Sequence, residues 1–154
     1  MHKIRLSEGK KNGWVALKLD ISKAYDKVEW TFFRQAMEKL GSLDKWVDLI
    51  MSCVTTPIFS TLTSGITKGL IQSQRGLRQG CLLSPYLFII CAEVFSNILL
   101  QGERQNWIHG LKFSRDITIS HILFTDDSLV FTRANTEECK HLKSIFDRYT
   151  SALG

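Results

Sequence analysis

A chain of 154 residues, 44% hydrophobic and 23% charged, is long enough to bury one real core and too ordinary in composition for a disordered, fibrous or disulfide-rich protein. The formal net charge of +5 biases the surface towards polyanions without naming one. Met1-His2-Lys3-Ile4-Arg5 is polar and basic, unlike a secretory leader, and the most apolar stretch, Tyr86 to Leu100, is broken by Glu93, Ser96 and Asn97, so it is expected to be too short and too polar to span a membrane.

In chain order, residues 1–13 read as a polar lead-in ending in a Gly/Lys/Asn turn. Trp14 to Ile21 alternates Val15, Leu17 and Leu19 with Ala16, Lys18 and Asp20, which predicts a strand. Asp20 then stands at the strand's carboxyl end, opposite in face to Leu19, where a carboxylate is well placed for a site; a plain strand-terminating Asp is the alternative. Asp26-Lys27-Val28-Glu29 has the form of a capping box, with Asp26 as N-cap. The helix it opens runs to Leu40, with Phe33, Ala36, Met37 and Leu40 on its apolar face and Gly41 as its C′ residue. A second helix from Asp44 to Val54 turns Trp46, Val47, Ile50, Met51 and Val54 inward and ends before Pro57. Ile58 to Leu62 and Ile66 to Ile71 form a hairpin about Thr63-Ser64-Gly65.

The segment from Gln72 to Leu83 is irregular and holds Arg75-Gly76-Leu77-Arg78-Gln79-Gly80. Its glycines allow close backbone approach, and its arginines can grip phosphate in a forked geometry; a solvated basic loop is the alternative. Ser84-Pro85 places an N-cap and an N1 proline before a long apolar helix, the expected centre of the domain. Glu93 within that helix is expected on the exposed side. A polar linker from Gln101 to Thr118 carries a possible short strand at Ile108 to Phe113. Asn135-Thr136-Glu137-Glu138 opens a final helix with Leu142, Ile145, Phe146 and Tyr149 on one face.

Between them, Ile122-Leu123-Phe124 and Ser128-Leu129-Val130-Phe131 flank Thr125-Asp126-Asp127. Two short apolar runs around adjacent acids predict a tight hairpin whose turn holds two repelling carboxylates. A hard divalent cation would offset that repulsion; a solvated turn is the simpler alternative. The element order predicts an α+β fold, a small antiparallel sheet with helices on one face. If the hairpin lies beside the Asp20 strand, Asp20, Asp126 and Asp127 converge at one end of the sheet. The four cysteines, Cys53, Cys81, Cys91 and Cys139, include no C-x-x-C pair, as expected of reduced thiols in an intracellular protein.

Three stretches together resemble a family. Lys18-Leu19-Asp20-Ile21-Ser22-Lys23-Ala24-Tyr25-Asp26-Lys27-Val28-Glu29-Trp30 resembles motif A of the reverse transcriptases of plant non-LTR (LINE-type) retrotransposons. Arg75 to Gly80, continuing through Leu83-Ser84-Pro85-Tyr86-Leu87-Phe88, resembles motif B, and Ile122 to Leu129 resembles motif C. The resemblance implies a polymerase palm over residues 14–154. It implies Asp20, Asp126 and Asp127 as catalytic and metal-holding acids, with two Mg²⁺ ions or Mn²⁺ in their place. It implies Tyr25 beneath the incoming sugar, and Arg78, Gln79 and Gly80 in the nucleotide and template pocket. The partners implied are an RNA template, a DNA primer and dNTP, with no membrane. Leu82 stands where the family usually has Pro, and Thr125 where it usually has Ala. Relatives also carry fingers, a motif D, a thumb and usually an endonuclease domain, none of which this stretch contains, so it is expected to be a piece of a larger element, inactive alone. The competing expectations are a non-enzymatic nucleic-acid-binding remnant or relic, and a group II intron maturase palm, against which the plant-like Lys23 to Asp26 and Ser84 to Phe88 runs argue.

Overall fold

The computed structural model describes residues 4–6, 13–124 and 127–154, with backbone alone for 4–6. The fold mixes helices with small antiparallel sheets. Its main sheet has four strands in the order β1-β2-β8-β7: β1 (Ile4–Leu6), β2 (Trp14–Asp20), β7 (His121–Phe124) and β8 (Asp127–Arg133). The expected polar lead-in therefore contributes a strand, with Ile4 opposite Leu17 and Leu6 opposite Val15.

Period-two alternation decides which face of this sheet is covered. Along β2–β8, Val15 pairs with Thr132, Leu17 with Val130 and Leu19 with Ser128. Of these only Leu17 is not buried. The alternate residues, Ala16, Lys18 and Asp20 on β2 and Asp127, Leu129 and Phe131 on β8, stand on the other face, where none is buried. Helices cover the first face. The longest, α4 (Ser84–Arg104), buries one stripe of Leu87, Phe88, Cys91, Phe95 and Leu99 and leaves Glu93 exposed as expected. It has 21 residues and a mean hydropathy of 1.4 over its most apolar window. It is thus long and apolar enough to cross a bilayer, contrary to the expectation from Tyr86 to Leu100 alone, but here its buried stripe closes the core against α2 (Trp30–Lys39), α5 (Thr136–Leu153) and β7.

An aromatic cluster ties α4 to α5. Phe95 stacks on Tyr149 at 4.7 Å between centroids and meets Phe146 edge-on at 6.2 Å. The Tyr149 hydroxyl donates to the Cys91 carbonyl at 3.1 Å, so a buried phenol keeps its hydrogen bond. Burial pushes the Cys91 thiol up to about 12, which makes it a core residue without thiolate chemistry. Between α4 and β7, His121 sits between two hydroxyls, Ser96 Oγ at 2.9 Å and Ser120 Oγ at 3.0 Å. Burial holds its imidazole below the ordinary value, although the charges of Glu103 and Glu93 pull the other way.

Helix ends follow local chemistry where it is strong. In α2, Phe33, Ala36 and Met37 are buried while Leu40, past the helix end, is largely exposed. Gly41 takes a left-handed φ of 87°, and the Gly41 and Ser42 amides close on the Glu38 and Met37 carbonyls, a Schellman ending that only a residue without Cβ adopts freely. α3 (Asp44–Thr55) buries Val47, Ile50 and Met51, but Trp46 is half exposed rather than inward. The N-cap of α4 is Leu83, with Ser84 already helical, so the expected Ser84 cap is displaced by one residue. In α5, Asn135 caps as expected, its side chain accepting from the Glu137 amide at 3.0 Å. The second ribbon, β3 (Ile58–Thr63) and β4 (Ile66–Gln72), turns at Ser64-Gly65, both at positive φ, as a two-residue hairpin requires. A short pair, β5 (Leu111–Lys112) and β6 (Thr118–Ile119), completes the fold inside the expected linker, whose first residues, 101–104, belong to α4.

Candidate active site

The β7–β8 hairpin does lie beside β2, and the ladder ends with Asp20 directly opposite Asp127. Directly paired residues of neighbouring antiparallel strands hold their Cβ atoms about 4.5–5.5 Å apart. Two carboxylates thus stand side by side on the open face of the sheet, at the carboxyl end of β2. Like charges in this register are unfavourable, and a cation already answers one of them: Lys18 Nζ lies 2.8 Å from Asp127 Oδ2. Lys18 is two residues before Asp20 on the same face, a placement that alternation makes automatic. Asp126, with Thr125, lies outside the described residues. Among the described residues no three His, Cys, Asp or Glu side chains gather into a metal-binding group.

After Asp20 the chain turns through Lys23, which takes a left-handed φ of 56°, into α1 (Ala24–Lys27). This short helix is the platform for the irregular loop after β4. The Leu77 amide donates to the Tyr25 carbonyl at 2.8 Å, and the Gly76 amide to the Val28 carbonyl at 2.8 Å. Trp30 Nε1 donates to the Gly76 carbonyl at 3.0 Å. Gly76 has φ 89°, and a Cβ there would come within 3.1 Å of the Asp26 carbonyl oxygen and 3.2 Å of the Tyr25 carbonyl oxygen. Gly76 is therefore required twice, for its backbone conformation and for the contact itself. Gly76→Val is expected to destabilise the chain by about 2–4 kcal/mol, the sum of a left-handed β-branched residue and a steric clash. A urea unfolding series checks this, with a lowered midpoint at unchanged slope as the expected result.

Side chains extend the same junction and correct the capping-box expectation. Asp26 lies within α1, whose N-cap is Lys23, and the N-cap of α2 is Glu29 without a side-chain hydrogen bond. Both carboxylates instead face the loop: Asp26 Oδ1 accepts from Gln79 Nε2 at 3.1 Å, and Glu29 Oε1 pairs with Arg75 at 3.4 Å. The Arg78 guanidinium rests over the Phe59 ring, 5.3 Å from its centroid. The Tyr25 ring stacks on Phe88 of α4 at 4.8 Å and 14°. Tyr25, Arg78, Gln79 and Gly80 all line one open groove of about 680 Å³, with Ser84 and Tyr86 on its α4 side. Arg78 and Gln79 also border a second concavity of about 400 Å³ that reaches Asp26 and Phe59. Cys81, in the wall of both, has its thiol lowered from the ordinary value, chiefly by the Leu83 amide and further by Ser84 and Arg78, which together outweigh the opposing effect of burial.

The structure thus brings the four expected nucleotide-binding residues into one groove and sets Asp20 against Asp127. Lys18, Asp26, Glu29 and Phe88 join them without having been singled out for these roles; only the recurrence of charged residues around the acids and the loop hinted at the first three.

The model of the family described as reverse transcriptase (RNA-dependent DNA polymerase) matches residues 2–153. The chain is 32% identical over 130 residues, 84% of its length, to a retrovirus-related Pol polyprotein from the type-1 retrotransposable element R2 of Popillia japonica, of which it spans 20%. It is also 43% identical over 68 residues, 44% of its length, to an uncharacterized mitochondrial protein of Arabidopsis thaliana, of which it spans 56%. With a family match over almost every residue, and with its paired acids and glycine-bearing loop held against the first strand–helix junction, this chain belongs to the reverse transcriptase family.

Proposed function

We propose that the chain is the palm of an RNA-directed DNA polymerase from a non-LTR retrotransposon, extending a DNA primer 3′-hydroxyl with deoxynucleoside triphosphates along an RNA template. The observation that carries this reading is the register of Asp20 against Asp127 at the hairpin end of the sheet. All-oxygen, exposed carboxylates on adjacent strands suit a hard cation. As the family resemblance implies, Asp20, Asp126 and Asp127 would hold Mg²⁺, or Mn²⁺ in its place. Such ions, when bound, stabilise the attacking and leaving oxygens of phosphoryl transfer.

The chain's own residues orient the reactants. Arg78 offers a forked cation to the triphosphate, and Gln79 and Gly80 line the same groove. Tyr25, its ring plane set by Phe88, lies under the sugar and leaves no room for a 2′-hydroxyl. Positioning and charge supply the catalysis, and no protein nucleophile is needed. Fingers, thumb and endonuclease portions of a longer intracellular polyprotein complete the enzyme in this reading; the R2 relative is itself a polyprotein of which the chain spans a fifth.

Primer extension tests the assignment. An RNA-templated DNA primer with dNTP and Mg²⁺ is expected to be lengthened by the polyprotein carrying this sequence. Asp126→Asn is expected to abolish extension with an unchanged circular dichroism spectrum. Equal extension by the Asn variant would remove the acid pair from the mechanism.

A further inference from the structure

We propose that Asp26 is a positioning residue for nucleotide binding: its carboxylate fixes the orientation of the Gln79 side-chain amide, so that Gln79 presents a hydrogen-bond acceptor to the groove it shares with Tyr25 and Arg78. The inference rests on the polymerase reading and concerns a residue outside the acid cluster.

An ionised carboxylate only accepts hydrogen bonds. Its contact with Gln79 at 3.1 Å therefore assigns the Gln79 nitrogen to Asp26 and leaves the amide oxygen free to face elsewhere. Gln79 forms part of both concavities, whereas Asp26 lines only the smaller one. Asp26 thus meets Gln79 at the smaller concavity, while Gln79 also lines the groove with Tyr25. The surrounding backbone makes this hold stiff rather than incidental. Gly76 and Leu77 donate to Val28 and Tyr25, Trp30 donates back to Gly76, and Gly76 leaves no space for a Cβ against Asp26 itself. Glu29 and Arg75 repeat the same acid-to-loop contact beside it. The loop and α1 therefore move together, and the Asp26–Gln79 bond converts that backbone registry into a defined direction for one side chain.

Positioning and bare charge make opposite predictions. A negative charge near a triphosphate repels it, so if Asp26 acted by charge alone, removing it would tighten binding. If it holds Gln79, removing it weakens binding. The experiment uses a fluorescent N-methylanthraniloyl deoxythymidine triphosphate with Mg²⁺, titrated into the full chain. Asp26→Ala is expected to raise the dissociation constant about fivefold, a coupling typical of side chains in one hydrogen-bonded network. Asp26→Asn is expected to recover part of the loss, since its carbonyl oxygen can accept from Gln79. In a Gln79→Ala background the Asp26→Ala change is expected to add nothing further. Thermal melts of each variant verify folding, and the Asn variant carries the test if the Ala variant is unstable. Unchanged or tighter binding by Asp26→Ala, or losses that simply add in the double variant, overturns the inference; if Asp20→Asn still abolishes binding in that case, the polymerase reading stands. Absence of nucleotide binding by the unaltered chain overturns the inference and leaves the polymerase reading to primer extension by the polyprotein.

Discussion

Asp20→Asn is expected to weaken divalent-cation binding at least about tenfold while leaving the thermal midpoint equal or slightly higher. The two effects share one cause. Asp20 faces Asp127 across the β2–β8 ladder, where like charges are mildly destabilising, and Lys18 already neutralises Asp127 at 2.8 Å. Losing the Asp20 charge relieves repulsion at the strand ends without opening the core, because the side chain stands on the exposed face. A cation that relies on both carboxylates loses half its paired donors, and affinity is expected to fall at least about tenfold. Mn²⁺ titration followed by water-proton relaxation reads the affinity, and differential scanning calorimetry reads the stability. A variant that binds Mn²⁺ as the unaltered chain does would separate Asp20 from the metal site; a marked fall in midpoint would show instead that Asp20 is structural.

The largest effect on stability is expected at Glu138. Its side chain is buried and accepts from Thr132 Oγ1 at 2.8 Å, the His109 amide at 3.1 Å, His109 Nδ1 at 3.0 Å and the Arg133 amide at 3.2 Å. One carboxylate thus joins the first turn of α5, the end of β8 and the segment before β5. Glu138→Ala takes the acceptor from a fully buried Thr132 hydroxyl and from the His109 and Arg133 amides. The expected loss is about 3–5 kcal/mol, the range for breaking a buried charged network from one side, or roughly 10 °C in midpoint for a chain of this size.

The same network gives the chain an acid limb. Burial alone would raise the Glu138 carboxyl, but the hydrogen bonds from Thr132, Arg133 and His109 outweigh it and hold the group below its ordinary value. A depressed carboxyl binds its proton more weakly folded than unfolded. Its stabilisation is complete above the unfolded carboxyl value and is lost as pH falls through the lower folded value. His121, also depressed, acts in the same direction at higher pH: its contribution is full above the ordinary imidazole value and is lost as pH falls through its folded value. Midpoints measured across acid pH are expected to decline in two stages, with Glu138→Gln flattening only the lower one.

Much of this arrangement was legible in residue order. The alternation of β2 placed Asp20 opposite in face to Leu19, and the turn chemistry of the acid hairpin led to the same sheet end. Asn135 and Gly41 declared helix ends because each acts on amides or carbonyls a few residues away. Failures came where the decisive partner is distant. Asp26 and Glu29 have the spacing of a capping box, yet each carboxylate met a residue of the loop after β4, a contact no local pattern encodes. Trp46 fits the apolar period of α3 but falls at the edge of its buried stripe, where it stays half exposed. Glu138 read as an ordinary first-turn acid; its burial depends on His109, whose position relative to α5 is set by the whole fold.

The pairing of β2 with β8 also sets a timetable. Asp20 and Asp127 are neighbours only through a ladder that joins segments on the order of a hundred residues apart. Such non-local pairing forms late and slowly, after local helices and hairpins. On the ribosome, the amino-terminal strands and the first three helices emerge long before β8 exists to receive them. The Asp20 carboxylate therefore waits, beside an unpaired strand edge, until the hairpin has been synthesised. The acid pair is assembled in the same event that seals the sheet, so a chain able to gather these charges is already one that has nearly finished folding.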